Sequence, residues 1–277
     1  VPLLVNSFEG GTAGASVSAA NSGGASGNPF DSVSVTASGV SRFDSAHAAH
    51  GGLGNLIQCT TAAASNGQGV WSASMGTRTQ VWYRLYLYWP ALGSNTQRIW
   101  KATSAGALCS ALSINSAGHV LATSAAGTTV LTSAATVPLA RWFRVEGFVR
   151  CSATAGQLEF RLFTSGMDSG TPDEVRTSAA TQVLTASADS YVYGLQSNSL
   201  VMSWWQDDVA LSDLGYIGPA GAPPGILTAR DAPGSALTAG DVPAGTLTAG
   251  AAGSQLAAAT AAAGMLTAGT QPAGGPS

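Results

Sequence analysis

Lysine is almost missing from this chain: Lys101 is the only one, and Lys and Arg together number 11 against 14 Asp and Glu in 277 residues, for a net charge of −3. Charged residues make up 9% of the chain, against roughly 25% in an average soluble domain. Phosphate binding needs clustered Lys and Arg, so nucleic acid is excluded as a partner class. Long apolar runs are also missing. No stretch approaches the ~18 residues that span a bilayer, and the opening VPLLVNSFEG has neither the charged start nor the apolar run of a secretion signal, so neither membrane insertion nor a signal is expected. Cysteine is scarce and odd in number. Cys59, Cys109 and Cys151 each sit in an apolar run, which reads as buried free thiols, and without a CxxC there is no thiolate zinc site.

Aromatic residues disappear after Tyr216. Residues 220–277 contain none, and their only charges are Arg230, Asp231 and Asp241. A segment without aromatics has difficulty forming a core of its own. That segment repeats instead, as ILTARDAPGS, ALTAGDVPAG, TLTAGAAGS, QLAAATAAAG and MLTAGTQPAG, with Leu227, Leu237, Leu247, Leu256 and Leu266 marking the period. Each unit reads as a very short strand and a turn. One copy buries almost nothing, so the leucine row is satisfied by stacking along the chain, by winding with other copies or by lying on another protein. A plain flexible spacer is the alternative, but a spacer has no physical need for an apolar residue at fixed intervals.

What is present in residues 1–219 is strand-forming sequence, and the 45% hydrophobic content of the chain is ample for a packed core. Short segments rich in Val, Leu, Thr, Tyr and Trp, separated by Gly, Ser and Asn, predict strands at 32–37, 54–61, 70–75, 80–89, 98–103, 108–114, 120–123, 128–132, 142–151, 157–163, 191–195 and 201–211. In QVWYRLYLYW, alternation puts Val81, Tyr83, Leu85, Leu87 and Trp89 on one face and Trp82, Arg84, Tyr86 and Tyr88 on the other. In RWFRVEGFVRC it sets Trp142, Arg144, Glu146, Phe148 and Arg150 opposite Arg141, Phe143, Val145, Gly147 and Val149. The second faces are either covered or binding surfaces. No segment carries a long 3.6-residue apolar repeat. The expected fold class is therefore all-β, an antiparallel two-sheet jelly-roll sandwich over 1–219, followed by the short-repeat tail of 220–277.

Several phrases in their order along the chain carry a resemblance: NSFEGGTAGASVSAANSGGASGNPFDSV, FDSAHAAHGGLGNL, VWYRLYLYWPAL, LSINSAGHV, PLARWFRVEGFV and WWQDDVALSDLGYIGP. Together they resemble concanavalin A-like, LamG-type jelly-roll proteins that actinobacterial phages and prophages encode as virion proteins, often minor tail proteins. The LTA repeats ending in GGPS resemble the C-termini of the same proteins. The resemblance implies a structural component of a phage particle, located in the virion, with other virion proteins and further copies of itself as partners. It also implies a lectin-like sandwich that touches host-surface glycans. A free-standing carbohydrate-binding module is the alternative, because a shared fold does not establish a shared function.

Candidate functional residues follow from both lines. Sugars stack on exposed indole and phenol rings, which singles out Trp82, Tyr86 and Tyr88 on one strand face and Trp205, since alternation sends Trp204 and Trp205 to opposite faces. Core filling and subunit contact are the competing uses of those rings. In carbohydrate-binding modules that look similar, an FE-G near the start and a DDV in the last strand meet around a structural calcium ion. That resemblance points to Glu9 and Asp208, with turn capping and loop hydrogen bonding as the alternatives. No other cofactor is expected. His47 and His50 in FDSAHAAHGG have only Asp44 nearby as a carboxylate and read as hydrogen-bonding residues. The four glutamates, Glu9, Glu146, Glu159 and Glu174, are scattered, and the E-x-D-x-x-E of resembling glucanases is absent. With no G-x-S-x-G, P-loop or G-x-G-x-x-G in a strand-to-helix setting either, the chain is expected not to be an enzyme.

Overall fold

A strand with an apolar residue at every second position must lay that face against another sheet. The computed structural model describes residues 3–36, 38–60, 65–198 and 201–220, and in the tail 227–229, 237–238, 247–249 and 256–257. The chain divides into two units, Val1–Pro219 and Ala220–Ser277.

The first unit is a sandwich of two antiparallel sheets, with no helix among the described residues. One sheet has eight strands. Its spatial order is β13 (Glu174–Thr177), β12 (Gln157–Phe163), β11 (Trp142–Arg150), β6 (Gln80–Tyr88), β15 (Met202–Ser212), β4 (Gly54–Cys59) and β3 (Gly39–Asp44). The eighth, β1 (Leu3–Asn6), also pairs with β15, in register from Leu3↔Ser212 to Asn6↔Val209, beyond the part of β15 that pairs with β4. The N-terminal and last strands of the sandwich therefore lie side by side. The other sheet has seven strands, in the order β10 (Thr129–Thr136), β9 (His119–Thr123), β8 (Ala107–Ile114), β7 (Gln97–Ser104), β14 (Ser190–Asn198), β5 (Ser65–Trp71) and β2 (Ser32–Thr36).

Between the sheets lies an aromatic core. Trp89 stacks on Trp204 with centroids 5.0 Å apart, and Tyr83 stacks on Trp100 at 3.7 Å. Val81, Tyr83, Leu85, Leu87 and Trp89 of the β6 region all point into this core, as do Phe143, Val145 and Val149 of β11. Gly147 sits among them because Tyr83 needs the room: a Cβ there would lie 2.0 Å from the Tyr83 ring. The sandwich has three strands beyond the twelve expected, β1, β3 and β13, and β5 begins five residues before the segment read as 70–75.

The second unit contains β16 (Leu227–Ala229), β17 (Leu237–Thr238), β18 (Leu247–Ala249) and β19 (Leu256–Ala257). They pair in parallel, Leu227 opposite Leu247 and Leu237 opposite Leu256, so each unit pairs with the next but one. Leu266 lies outside the described residues.

Candidate functional site

The outer face of the eight-stranded sheet, turned away from the core, is organised by an irregularity in β15. Its partner on β6 runs Trp205↔Tyr88, Gln206↔Leu87, Asp207↔Tyr86, and then jumps to Ala210↔Arg84. One extra residue is accommodated as a bulge at Asp208, whose φ of 44° is a left-handed conformation that Asp tolerates better than most side chains. In a regular strand, consecutive aspartates point to opposite faces. Here the bulge lets both reach the loop 45–53. Asp207 accepts a hydrogen bond from the Ala49 amide at 2.8 Å, and Asp208 Oδ2 lies 2.5 Å from His50 Nδ1. Glu9 holds the far end of the same loop by accepting from the amides of Gly52 and Leu53, and it fits because residue 51 is glycine, where a Cβ would collide with the carboxylate.

His50 also faces the loop between β12 and β13. Its Nε2 lies 2.8 Å from Asp168 Oδ1, the same oxygen that accepts the Tyr86 hydroxyl at 2.9 Å. The Asp168 loop is tied to the sheet by Arg144, which donates to the carbonyls of Met167 and Ser169 at 2.7 Å each. Arg144 is fully buried beneath this loop, lies 3.6 Å from the Phe163 ring centroid, and pairs with buried Glu146 across 3.0 Å at an angle outside hydrogen-bond geometry. Arg84 donates to the Asp208 carbonyl at 3.0 Å and to the Gly218 carbonyl at 2.9 Å. Hydrogen bonding to Asp208, with a smaller contribution from Asp168, raises the His50 pKa despite partial burial. Burial pushes Asp207 well above the ordinary carboxylate range, helped by the Asp208 charge and opposed by the Ala49 and Asp208 amides.

Two aromatic groups flank this polar centre. In one, His47 packs between Tyr88 and Trp205 with centroids 4.1 Å from each, and Trp142 lies 5.7 Å from Tyr88. The Trp205 indole donates to Asp44 at 3.2 Å, which fixes the ring. In the other, Trp82 packs on Phe148 at 4.8 Å and on Tyr216 at 6.5 Å, while Arg161 lies over the Tyr216 ring at 3.4 Å. Tyr216 in turn donates to Glu159 at 2.6 Å. Tyr88 and Trp82 are six residues apart on β6, about 20 Å along the strand.

Trp82, Tyr88 and Trp205 thus share the outer face, half-buried, with Trp82 in a separate cluster from the other two. Tyr86 requires a correction: it is completely buried, because His50 and the Asp168 loop cover it. Glu9 and Asp208 approach one loop, but Glu9 is taken up by two amides and Asp208 by His50, and no cluster of three or more metal-ligating side chains exists among the described residues. The alternation of β11 puts Trp142 and Arg144 on its outward face, but nothing in the sequence sets them apart as site residues. Asp168 carries no signal in the sequence at all, lying 118 residues from the histidine it meets.

No family model and no curated protein matches the chain, so the likeness to phage virion proteins rests on its sequence motifs alone. Solved structures do match. An endo-β-1,4-glucuronan lyase from the fungus Trichoderma reesei is similar over 75% of this chain and 94% of its own, at 13% identity and a TM-score of 0.53. A cellulose-induced protein, Cip1, is similar over 78% of this chain and 99% of its own, at 13% identity and a TM-score of 0.51. These likenesses establish the jelly-roll β-sandwich. They also correct the expectation that the chain is not an enzyme. The fold is shared with a lyase, so missing glycosidase and serine-hydrolase motifs do not exclude a chemistry that uses neither.

Proposed function

We propose that the sandwich holds a glycan against the outer face of its eight-stranded sheet, and that the chain is a minor-tail type component of a phage particle whose repeats mediate assembly. The observation that carries the glycan reading is the cluster of Tyr88, Trp142 and Trp205 around His47. These rings face away from the core yet stay partly open, and the Asp44 hydrogen bond fixes the Trp205 ring before any ligand arrives. The virion reading is supported by the motif resemblance and by the regular leucines of the tail. A glycan array on the full chain tests the first part. Tyr88→Ala and Trp205→Ala should each weaken binding by roughly tenfold, taking about 1.5 kcal/mol per stacking ring, while Val183→Ala, on an exposed residue remote in sequence from the cluster, should not. Binding unchanged in both ring variants would overturn the reading.

One observation favours a second reading, cleavage of a uronate-containing glycan at the same face. The Tyr86 hydroxyl and the His50 imidazole converge on Asp168 beside Arg84 and Arg144. In a β-elimination, a base removes the C5 proton, the C4–O bond breaks to leave a C4=C5 double bond, and an acid protonates the departing oxygen. Turnover requires the Asp168 loop to lift from Tyr86. Incubation with glucuronan, followed by the ultraviolet absorbance of the new double bond, tests this reading; no absorbance change with the intact chain would overturn it.

A further inference from the structure

Two of the three cysteines come from different sheets and meet inside the core. Cys109 is the third residue of β8, and Cys151 directly follows β11. They are 42 residues apart in sequence, both are buried, and their sulfurs lie 3.2 Å from each other. A disulfide brings two sulfurs to about 2.05 Å, so closure needs a sulfur movement of roughly 1 Å, within reach of small rotations about the two Cα–Cβ bonds. The backbone on the Cys151 side is anchored by its amide donating to the Thr79 carbonyl at 2.7 Å. Cys59 is placed differently, on β4 with its sulfur 3.8 Å from the Ser38 hydroxyl.

We infer that Cys109 and Cys151 are a latent disulfide that staples the two sheets together when the protein meets a small peroxide oxidant. The chemistry has a defined direction. The Cys151 thiol donating to it, opposed by burial and assisted by Thr185, lowers the Cys109 thiol below the ordinary thiol range, whereas Cys151 is pushed up. With the Cys151 sulfur 3.2 Å away and Thr185 also hydrogen-bonded to it, Cys109 is the better supported thiolate, which makes it the attacking sulfur and Cys151 the resolving one. Its sulfur attacks one oxygen of hydrogen peroxide, breaking the O–O bond and releasing hydroxide, to give a sulfenic acid. The Cys151 sulfur then attacks the Cys109 sulfur and loses its proton, and the sulfenic oxygen leaves as water. Overall, two thiols lose two electrons and two protons, and one peroxide becomes two waters. Peroxide suits this site because it is small enough to enter where bulkier disulfide oxidants would have to open the core.

The test treats the full chain with dilute hydrogen peroxide, quenches it, denatures it and counts thiols. One titratable thiol should remain of three, with a peptide in which Cys109 and Cys151 are joined at the loss of two hydrogens. Thermal unfolding of the oxidised protein should rise by roughly 5–10 °C, because a loop of more than forty residues is closed in the unfolded chain. Cys59→Ser leaves the pair intact and should go from two thiols to none, which keeps the test sound should Cys109→Ser or Cys151→Ser fail to fold. Three thiols persisting in the native chain, or a linkage that includes Cys59, would overturn the inference.

Discussion

His50 concentrates much of the outer face in one side chain. Asp208 holds its Nδ1 and Asp168 its Nε2, Tyr86 shares the Asp168 oxygen, and Asp207 and Glu9 fix the backbone of the loop that carries it. The two carboxylates favour imidazolium, so the folded-state pKa stands above the ordinary 6.5. The stabilisation from this contact is therefore fully present below about pH 6.5 and is lost as the pH rises through the raised value. Thermal melts of wild type and His50→Gln between pH 5 and 9 should show the largest gap in Tm at the acid end and a narrowing gap toward the alkaline end. A gap independent of pH would mean that His50 contributes packing rather than charge. FDSAHAAHGG shows both histidines openly in the sequence, yet nothing there reveals Asp168, which only the packing of a distant loop brings to His50.

Strands were legible where apolar residues mark the alternation. β6 and β11 display their inward and outward sets in plain order, and the structure keeps both sets. β5 starts earlier than its apolar residues suggest because Gly67 and Gly69 occupy positions where larger residues would have shown the pattern. β3 alternates in burial, but with Gly39 and Ser41 on its buried side the alternation is invisible to hydropathy. β1 and β13 have four residues each, too few to show a period. The bulge in β15 explains how consecutive aspartates serve one loop, and no alternation rule anticipates it. The Tyr83 ring, lying over Gly147 on the neighbouring strand, yields a sharp prediction. Gly147→Ala places a methyl inside the ring of a residue stacked on Trp100, and should cost about 2 kcal/mol or more by urea denaturation. An unchanged midpoint would show that Tyr83 swings aside freely.

For the molecule as a whole, the loss of aromatic residues after Tyr216 and the division at Ala220 separate a cored sandwich from a repeat segment. The period of the leucines was plain in the sequence, but the pairing of each described repeat with the next but one was not, because a repeat length alone does not say how many units complete a coil. Light scattering coupled to size exclusion should find the full chain as an oligomer and residues 1–219 as a monomer; a monomer in both would rule out self-association through the tail and leave it only a contact with another protein. The central claim, that the glycan lies on the aromatic outer face, is tested most directly by the indole N–H resonances of the seven tryptophans. On titration of the full chain with an oligosaccharide selected on the array, the Trp142 and Trp205 signals should move, while those of the buried Trp71, Trp89, Trp100 and Trp204 stay in place. Movement confined to other tryptophans, with Trp142 and Trp205 unshifted in the presence of bound sugar, would contradict the account.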